Sequence, residues 1–488
     1  MIGRLAVRSL TAHPVRSGVL AAGFGIGVAV MAILLGVAQI VLDQSRAPAL
    51  VGGGDVLIRL SEQVPGRLVL SGGLQSDALR SRIRAAAPMH TSTLFLLHDG
   101  RAARVQARGG IPSLERALGD DETSRIADWR DSPDDVEWTQ NTPDKVLRSI
   151  DRFHPIPDAP DWSGSWAEWL YFNGRTNEIN GRANEINGRA PNARFYLTFM
   201  VGPATSDGRR SASVRLQLDR GGEVENFTAS QSITEADALQ APDLTIGESF
   251  VRLEGMRYLV HVDLPGERGR HVRGDLTVDA SPTLLVPPFE MTGARGWRTG
   301  YVVPVMSGRL GGTLDVSGPS TPVGASPSTS LRAGERIDFT GGAGYHDHNW
   351  GFWQGVSWRW GQLQHDDLSL LYGRVIPPPE AADPSRIPGL LGVLGPDGPL
   401  GYATNISITE TDDEHGNPRT ILVRGRSADL DVEARFDVEE TTRSGGLVML
   451  RSDLDFFQMR GIYTVTGRVG SRVLSFSAPG SAETFRSR

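Results

Sequence analysis

The residues best equipped for chemistry in this 488-residue chain lie between 341 and 361, GGAGYHDHNWGFWQGVSWRWG. Tyr345, His346, Asp347, His348, Asn349, Trp350, Trp353, Trp358 and Trp360 fall within sixteen positions, and they include four of the chain's ten tryptophans. If 345–349 is a strand, successive side chains alternate between faces. Tyr345, Asp347 and Asn349 then share one face, and His346 and His348 share the other. Trp358 and Trp360 share a face of the next strand. Three chemistries fit. The two histidines can bind a metal, which needs a third ligand such as His365 or Asp366. The cluster can be structural, with buried aromatics and a hydrogen-bonded Asp closing a barrel corner. Or Asp347 can occupy an aromatic-lined apolar cavity, where burial raises its pKa above the usual value of about 3.9. A carboxylic acid kept neutral near pH 7 can protonate a poor base, and nearby indole faces stabilise the cation that results. This third reading is the one adopted, and it needs neither metal nor cofactor.

The elements that must hold these residues are strands. From about residue 151 onward the chain consists of short alternating runs, at 214–218, 250–253, 258–264 and 275–278. After the Pro/Ser-rich stretch 318–330, further runs follow at 356–364, 368–376, 404–408, 420–423, 430–438 and 462–469. Regular spacing with turn residues between runs signals a sandwich or barrel. Two sets of strands imply two barrels or one extended sheet. The tandem repeat NEINGRA, at 177–183 and 184–190, is too short for a solenoid and reads as a lengthened hairpin loop. The chain has no cysteine, which excludes disulfides, thiolate metal sites and a Cys nucleophile. Its net charge of -7 gives no basic footprint for nucleic acid.

The string GYHDHNWG (344–351) resembles the signature of the carotenoid 1,2-hydratase (hydroxyneurosporene synthase, CrtC) family, grouped with AttH-like proteins. RFHPIPDAPDWSGSWAEWLYFNG (152–174) is similar to that family's opening motif, usually written around Glu-Trp-Trp-Tyr. Glu168, Trp169 and Tyr171 match it, and Leu170 replaces the second Trp. Segments 296–312 and 358–375 also fit, so the resemblance covers roughly residues 150–488. It implies mainly β tandem lipocalin-like (calycin) barrels. It also implies protonation of a terminal isoprenoid double bond by an aspartate, followed by capture of the carbocation by water. The motif carries the acid's role to Asp347, with Tyr345 beside it and Glu168 as a weaker catalytic partner. Trp169, Tyr171, Asn349, Trp350, Trp353, Trp358 and Trp360 are the expected ligand-binding residues.

Ahead of this body, residues 18–42 carry no charge. As a helix they reach about 37 Å, enough for a hydrocarbon core of about 30 Å. The run is too long for the apolar part of a signal peptide. Arg4, Arg8 and Arg16 precede it, placing the N-terminus inside. The segment also resembles the first helix of FtsX/MacB-type ABC-transporter permeases, whose later helices have no counterpart here. Residues 50–150 read as a small α/β unit. A strand is expected at 55–60, a helix from Ser76 to Ala87, a hairpin of 91–98 and 102–107 around Asp99-Gly100, and a short helix after Pro112. The acidic stretch from Asp120 to Asp135 reads as a solvated linker.

The expected organisation is therefore a transmembrane anchor (1–46), a small α/β extracytoplasmic segment (47–150), a first barrel (151–320) and a second barrel (321–488) carrying the motif. The protein is expected at the inner membrane with a single pass and a periplasmic body. Its expected partners are an apolar isoprenoid or lipid, the membrane and ABC-transporter subunits. The rival to catalysis is a non-catalytic lipid-binding accessory of an ABC exporter.

Overall fold

The computed structural model describes residues 81–98, 101–119, 142–176, 193–220, 223–318, 335–445 and 454–487, with scattered positions before 81 and between 126 and 136. Two compact units partition the chain, one of residues 1–59 and 83–140, the other of 60–82 and 141–488.

In the first unit the expected hairpin is present. β1 (Met89–His98) pairs antiparallel with β2 (Arg101–Gly110), closing at His98↔Arg101 across the Asp99-Gly100 pair. The short helix α1 (Pro112–Leu118) follows, with Pro at its start and Gly119 in the left-handed conformation at its end. Two expectations fail. Residues 56–58 are not a strand; Val56 and Ile58 are 79% and 64% exposed, so no packed face rewards extension. Residues 81–87 are turn and coil, because Pro88 disfavours helical backbone before it and β1 starts directly after. The first part of that expected helix, 76–80, and the repeat at 177–190 lie outside the described residues, as do all but a few positions of 18–42. Among the described residues no helix is long and apolar enough to cross a membrane.

The second unit is mainly β. Helix α2 (Pro143–Ile150) buries Val146, Leu147 and Ile150 and leads into the body. A first sheet contains β3 (Trp166–Arg175), β4 (Ala193–Ala204), β5 (Arg210–Arg220), β6 (Val224–Ile233), β7 (Thr245–Ile246), β8 (Ser249–Glu254), β9 (Arg257–Pro265), β10 (His271–Asp279), β11 (Val286–Thr292), β12 (Arg298–Ser317), β13 (Glu335–Asp338) and β14 (Gly342–Phe352). Its order is β6-β5-β4-β3-β14-β12-β10-β9-β8-β7, with β11 and β13 on β12. A bridge from Phe227 to Gly266 brings β6 back to the far side, so the sheet is barrel-like. A second, half-barrel sheet contains β15 (Ser357–His365), β16 (Leu368–Ile376), β17 (Leu390–Gly395), β18 (Gly398–Ala403), β19 (Ile406–Asp412), β20 (Pro418–Arg426), β21 (Leu430–Gly445), β22 (Leu454–Val469) and β23 (Arg472–Ser487). Its order is β18-β17-β16-β15-β23-β22-β21-β20-β19.

The expected boundary at 320 does not hold. β13 and β14 return to pair with β12, so the Pro/Ser-rich stretch joins two strands of the first sheet rather than separating barrels. The motif strand β14 belongs to the first sheet, and the second sheet starts only at Ser357. β3 and β14 are buried almost throughout, because one face of each turns into the first barrel and the other meets the second sheet. Trp358, Trp360 and Phe485 of the second sheet accordingly join the first sheet's core, while Leu370, Tyr372, Phe436 and Tyr463 fill a separate core inside the second.

The last residue of the motif has a steric reason. Gly351 sits at φ 143°, and a Cβ there would lie 2.5 Å from the Thr299 Cα on β12. Gly351→Ala should therefore cost about 2–4 kcal/mol from backbone strain and overpacking together. Urea denaturation followed by tryptophan fluorescence checks this, and an unchanged midpoint would contradict the close approach.

Candidate functional site

Alternation along β14 sorts the motif into two environments. Register with β3 sets Asp347 opposite Tyr171, Asn349 opposite Trp169 and Tyr345 opposite Asn173. All six lie on the face that meets the second sheet. There, register between β15 and β23 sets Trp360 opposite Glu483, Trp358 opposite Phe485 and Gln362 opposite Ser481. Asn349 donates to Asp347 Oδ1 at 2.6 Å, and Trp360 Nε1 donates to the Tyr345 hydroxyl at 3.0 Å. Trp353 donates to the Ala167 carbonyl and packs 4.7 Å from Trp169 and 5.2 Å from Trp358, centroid to centroid. Tyr301 closes edge-on against Trp360. The result is an aromatic seam between the two sheets.

Two carboxyl groups face each other's charge in this seam. Burial pushes the Asp347 carboxyl well above its usual range, the neighbouring Glu483 pushes it further, and bonds from Tyr345 and Asn349 offset only part of this. Burial likewise lifts Glu483 to about 7 against the opposing bonds from Tyr171, Gln458 and Trp358. Asp347 is therefore a buried carboxyl whose acid form is favoured among indole and phenol rings. Hydrogen bonds run on from Tyr171 through Asn173 to Gln362 and Ser481, which line a cleft of about 40 Å³. That is room for one or a few waters.

The opposite face of β14 turns inward. His346 Nε2 lies 3.0 Å from Asp151 Oδ2, and its Nδ1 lies 2.9 Å from the Tyr171 carbonyl oxygen. Tyr258 donates to the same Asp151 oxygen at 2.7 Å, and Phe172 stacks on His346 at 4.1 Å. His348 Nε2 lies 2.9 Å from Glu168 Oε1, which also meets His154 Nδ1 at 2.7 Å. Burial alone would lower the His348 pKa, but the carboxylates of Asp151 and Glu168 outweigh it and bring it to about 9. Burial would raise both carboxyls; the histidines outweigh it, taking Asp151 to about 2 and holding Glu168 below its usual range.

Of the expected site residues, Tyr345, Asp347, Asn349, Trp169, Tyr171, Trp353, Trp358 and Trp360 come together. Glu168 and Trp350 do not join them. Glu168 is three residues along β3 from Tyr171, Asp347's partner, and so on the other pleat face, bonded to the histidines. Trp350 follows His346 and His348 in parity, stacks on His154 at 4.6 Å and donates to Glu290. His365 lies on the second sheet, stacked on Phe476 and beside Asp366, so neither completes a metal site with the motif histidines. Sequence reading missed Glu483, which carries no motif, and Asp151 and Tyr258. His154 lies within the opening motif but was given no role.

No protein-family model matches the chain, and no curated protein matches it in sequence. Among solved structures, a protein assigned to AttH from Nitrosomonas europaea overlaps 68% of this chain and 99% of its own, at 13% identity and a TM-score of 0.42. CghA with Sch210972 overlaps 69% of this chain and 94% of its own at 11% identity and a TM-score of 0.37, and CghA alone gives 0.39. Scores below 0.5 transfer neither ligand nor chemistry to this chain. What its own side chains define is a β protein whose two packed sheets enclose a carboxyl group, that of Asp347, with a pKa shifted well above the usual carboxylate range.

Glu483 makes stability fall with pH. Its acid form is favoured in the fold, so its contribution is intact below about pH 4.5 and is lost as pH rises through about 7. Glu483→Gln should flatten this decline. Full linkage would amount to about 3 kcal/mol at pH 8, and partial exposure of the half-buried side chain reduces that to about 1–2 kcal/mol. Urea midpoints of wild type and variant between pH 5 and 8 check the claim; parallel curves would refute it.

Proposed function

We propose that this protein is a membrane-anchored relative of the carotenoid 1,2-hydratase and AttH-like proteins that binds an apolar isoprenoid or lipid and adds water across a carbon–carbon double bond. The observation that carries the reading is Asp347, buried in the aromatic seam, hydrogen-bonded by Asn349 and held in its acid form. Its proton passes to one alkene carbon, forming a C–H bond as the π bond breaks. The cation left on the adjacent carbon faces Trp and Tyr rings, which stabilise it without supplying a nucleophile. Water then forms the C–O bond and returns a proton to the Asp347 carboxylate, which restores the acid. The clefts beside the seam hold only about 40 and 10 Å³, so a long ligand requires the seam side chains to part.

Asp347→Asn keeps the shape and removes the acidic proton. Turnover of an acyclic polyprenoid, read as ¹⁸O entering from labelled water, should fall by about 10²–10⁴-fold, with binding changed less than about tenfold. Glu483 shapes the pH profile. Once protonated it no longer opposes ionisation of Asp347, so turnover should rise as pH falls through about 7. If no substrate gains label while Asp347→Asn binds apolar ligands as wild type does, the protein is a carrier.

The anchor is supported by the described positions near the N-terminus. Val15, Val19, Phe24, Val28 and Met31 are helical and 51–80% exposed, an apolar surface that suits a bilayer better than water. Full-length protein should stay with membranes through an alkaline carbonate wash, and deletion of residues 1–46 should release it. Release of the full-length chain would overturn the anchor.

A further inference from the structure

We propose that His154 Nδ1, Glu168 Oε1 and His348 Nε2 form a binding site for one first-row divalent cation of the zinc class, with Asp151 as the carboxylate behind His348. The proposal is independent of the hydration reading, because these residues lie on the face of β14 away from Asp347.

The three donor atoms lie within 4.8 Å of one another and come from separate segments: the stretch after α2, β3 and β14. Glu168 Oε1 is 2.7 Å from one nitrogen and 2.9 Å from the other. Neighbouring ligands around a tetrahedral ion with bonds of about 2.0–2.1 Å stand roughly 3.3 Å apart. An ion therefore enters by moving Glu168 Oε1 a few tenths of an ångström away from each nitrogen and replacing the protons they now share. Two imidazoles and one carboxylate favour zinc-class ions over magnesium or calcium, which prefer all-oxygen shells.

A second observation points the same way. Asp151 Oδ1 and His348 Nδ1 face each other at 3.2 Å, both fully buried, yet among the described residues neither atom has a hydrogen bond of good geometry. Ligation at Nε2 fixes the His348 proton on Nδ1, and a small ring rotation turns this pair into the carboxylate–histidine bond that orients metal-binding imidazoles. The carboxylates of Asp151 and Glu168 form ion pairs only with histidines among the described residues. The other carboxylate oxygen, Glu168 Oε2, is held by the His154 backbone N–H at 3.0 Å. His346 is not a ligand, since both its ring nitrogens are engaged. The fourth coordination position falls on the side of His154, whose side chain is 35% exposed while Glu168 and His348 are fully buried.

Full-length protein stripped with a chelator should bind one Zn²⁺ per chain by calorimetry. Co²⁺ should give the ligand-field absorption of a four-coordinate site, and Zn²⁺ should raise the melting temperature. His154→Ala, at the one ligand that is partly exposed, should keep the wild-type circular dichroism spectrum and weaken Zn²⁺ binding at least tenfold. Asp151→Asn should weaken it about 10–100-fold. Absence of saturable one-to-one binding in wild type, or unchanged affinity in a folded His154→Ala protein, would overturn the site.

Discussion

Strand β14 has no solvent face, and the rest of the body is arranged around that constraint. Its even residues enter the first barrel and its odd residues meet the second sheet, so every polar group on it must find a partner inside protein. Desolvation acts equally on both faces and would neutralise any carboxyl placed there. The partners decide the outcome. Asp151 and Glu168 face imidazoles and stay ionised. Asp347 faces phenol, amide, indole and another carboxyl, so its pKa is pushed well above the usual carboxylate range.

That division makes register unusually consequential. A slip of β14 by one residue against β3 would move His346 and His348 into the seam beside Glu483 and send Asp347 into the barrel beside Asp151 and Glu168. Three carboxyls would then share a buried space without their imidazoles, at a cost far above that of any single misplaced side chain. The ionic cluster is thus weak evidence of stability by itself. Its contribution is to make one pairing of β3 and β14 far better than its neighbours, and that pairing sets Tyr171 opposite Asp347. Gly351 adds a steric stop at the end of the same strand.

Much of this was legible in local pattern. Period-two geometry sorted residues 345–349 onto the correct faces, because alternation needs no knowledge of neighbours. The hairpin at 91–107 followed from its turn pair and flanking strands. What failed required partners distant in sequence. Glu168 was matched with Asp347 by motif, yet its face depends on register with β14. Trp350 was grouped with the other tryptophans although its even number already placed it with the histidines. The Pro/Ser-rich stretch looked like a boundary because composition cannot show that the strands on either side pair with each other. Glu483 lies in an ordinary terminal strand, and only sheet packing gives it meaning.

The second sheet is therefore part of the site rather than a neighbour of it. Without β15 and β23 the odd face of β14 would meet water, and Asp347 would revert to an ordinary carboxylate. The contacts that hold the sheets together are partly polar: Arg460 pairs with Asp219 at 2.7 Å, Gln217 reaches Thr442, and Gln364 donates to the Met306 and Gly344 carbonyls. Such contacts reform more readily after separation than an interlocked apolar core, whose side chains must repack together. In the proposed reaction, a ligand entering the aromatic seam would separate an interface whose margins are held by polar bonds. The raised pKa of Asp347 is a property of this packed arrangement, because desolvation by the second sheet is its largest cause.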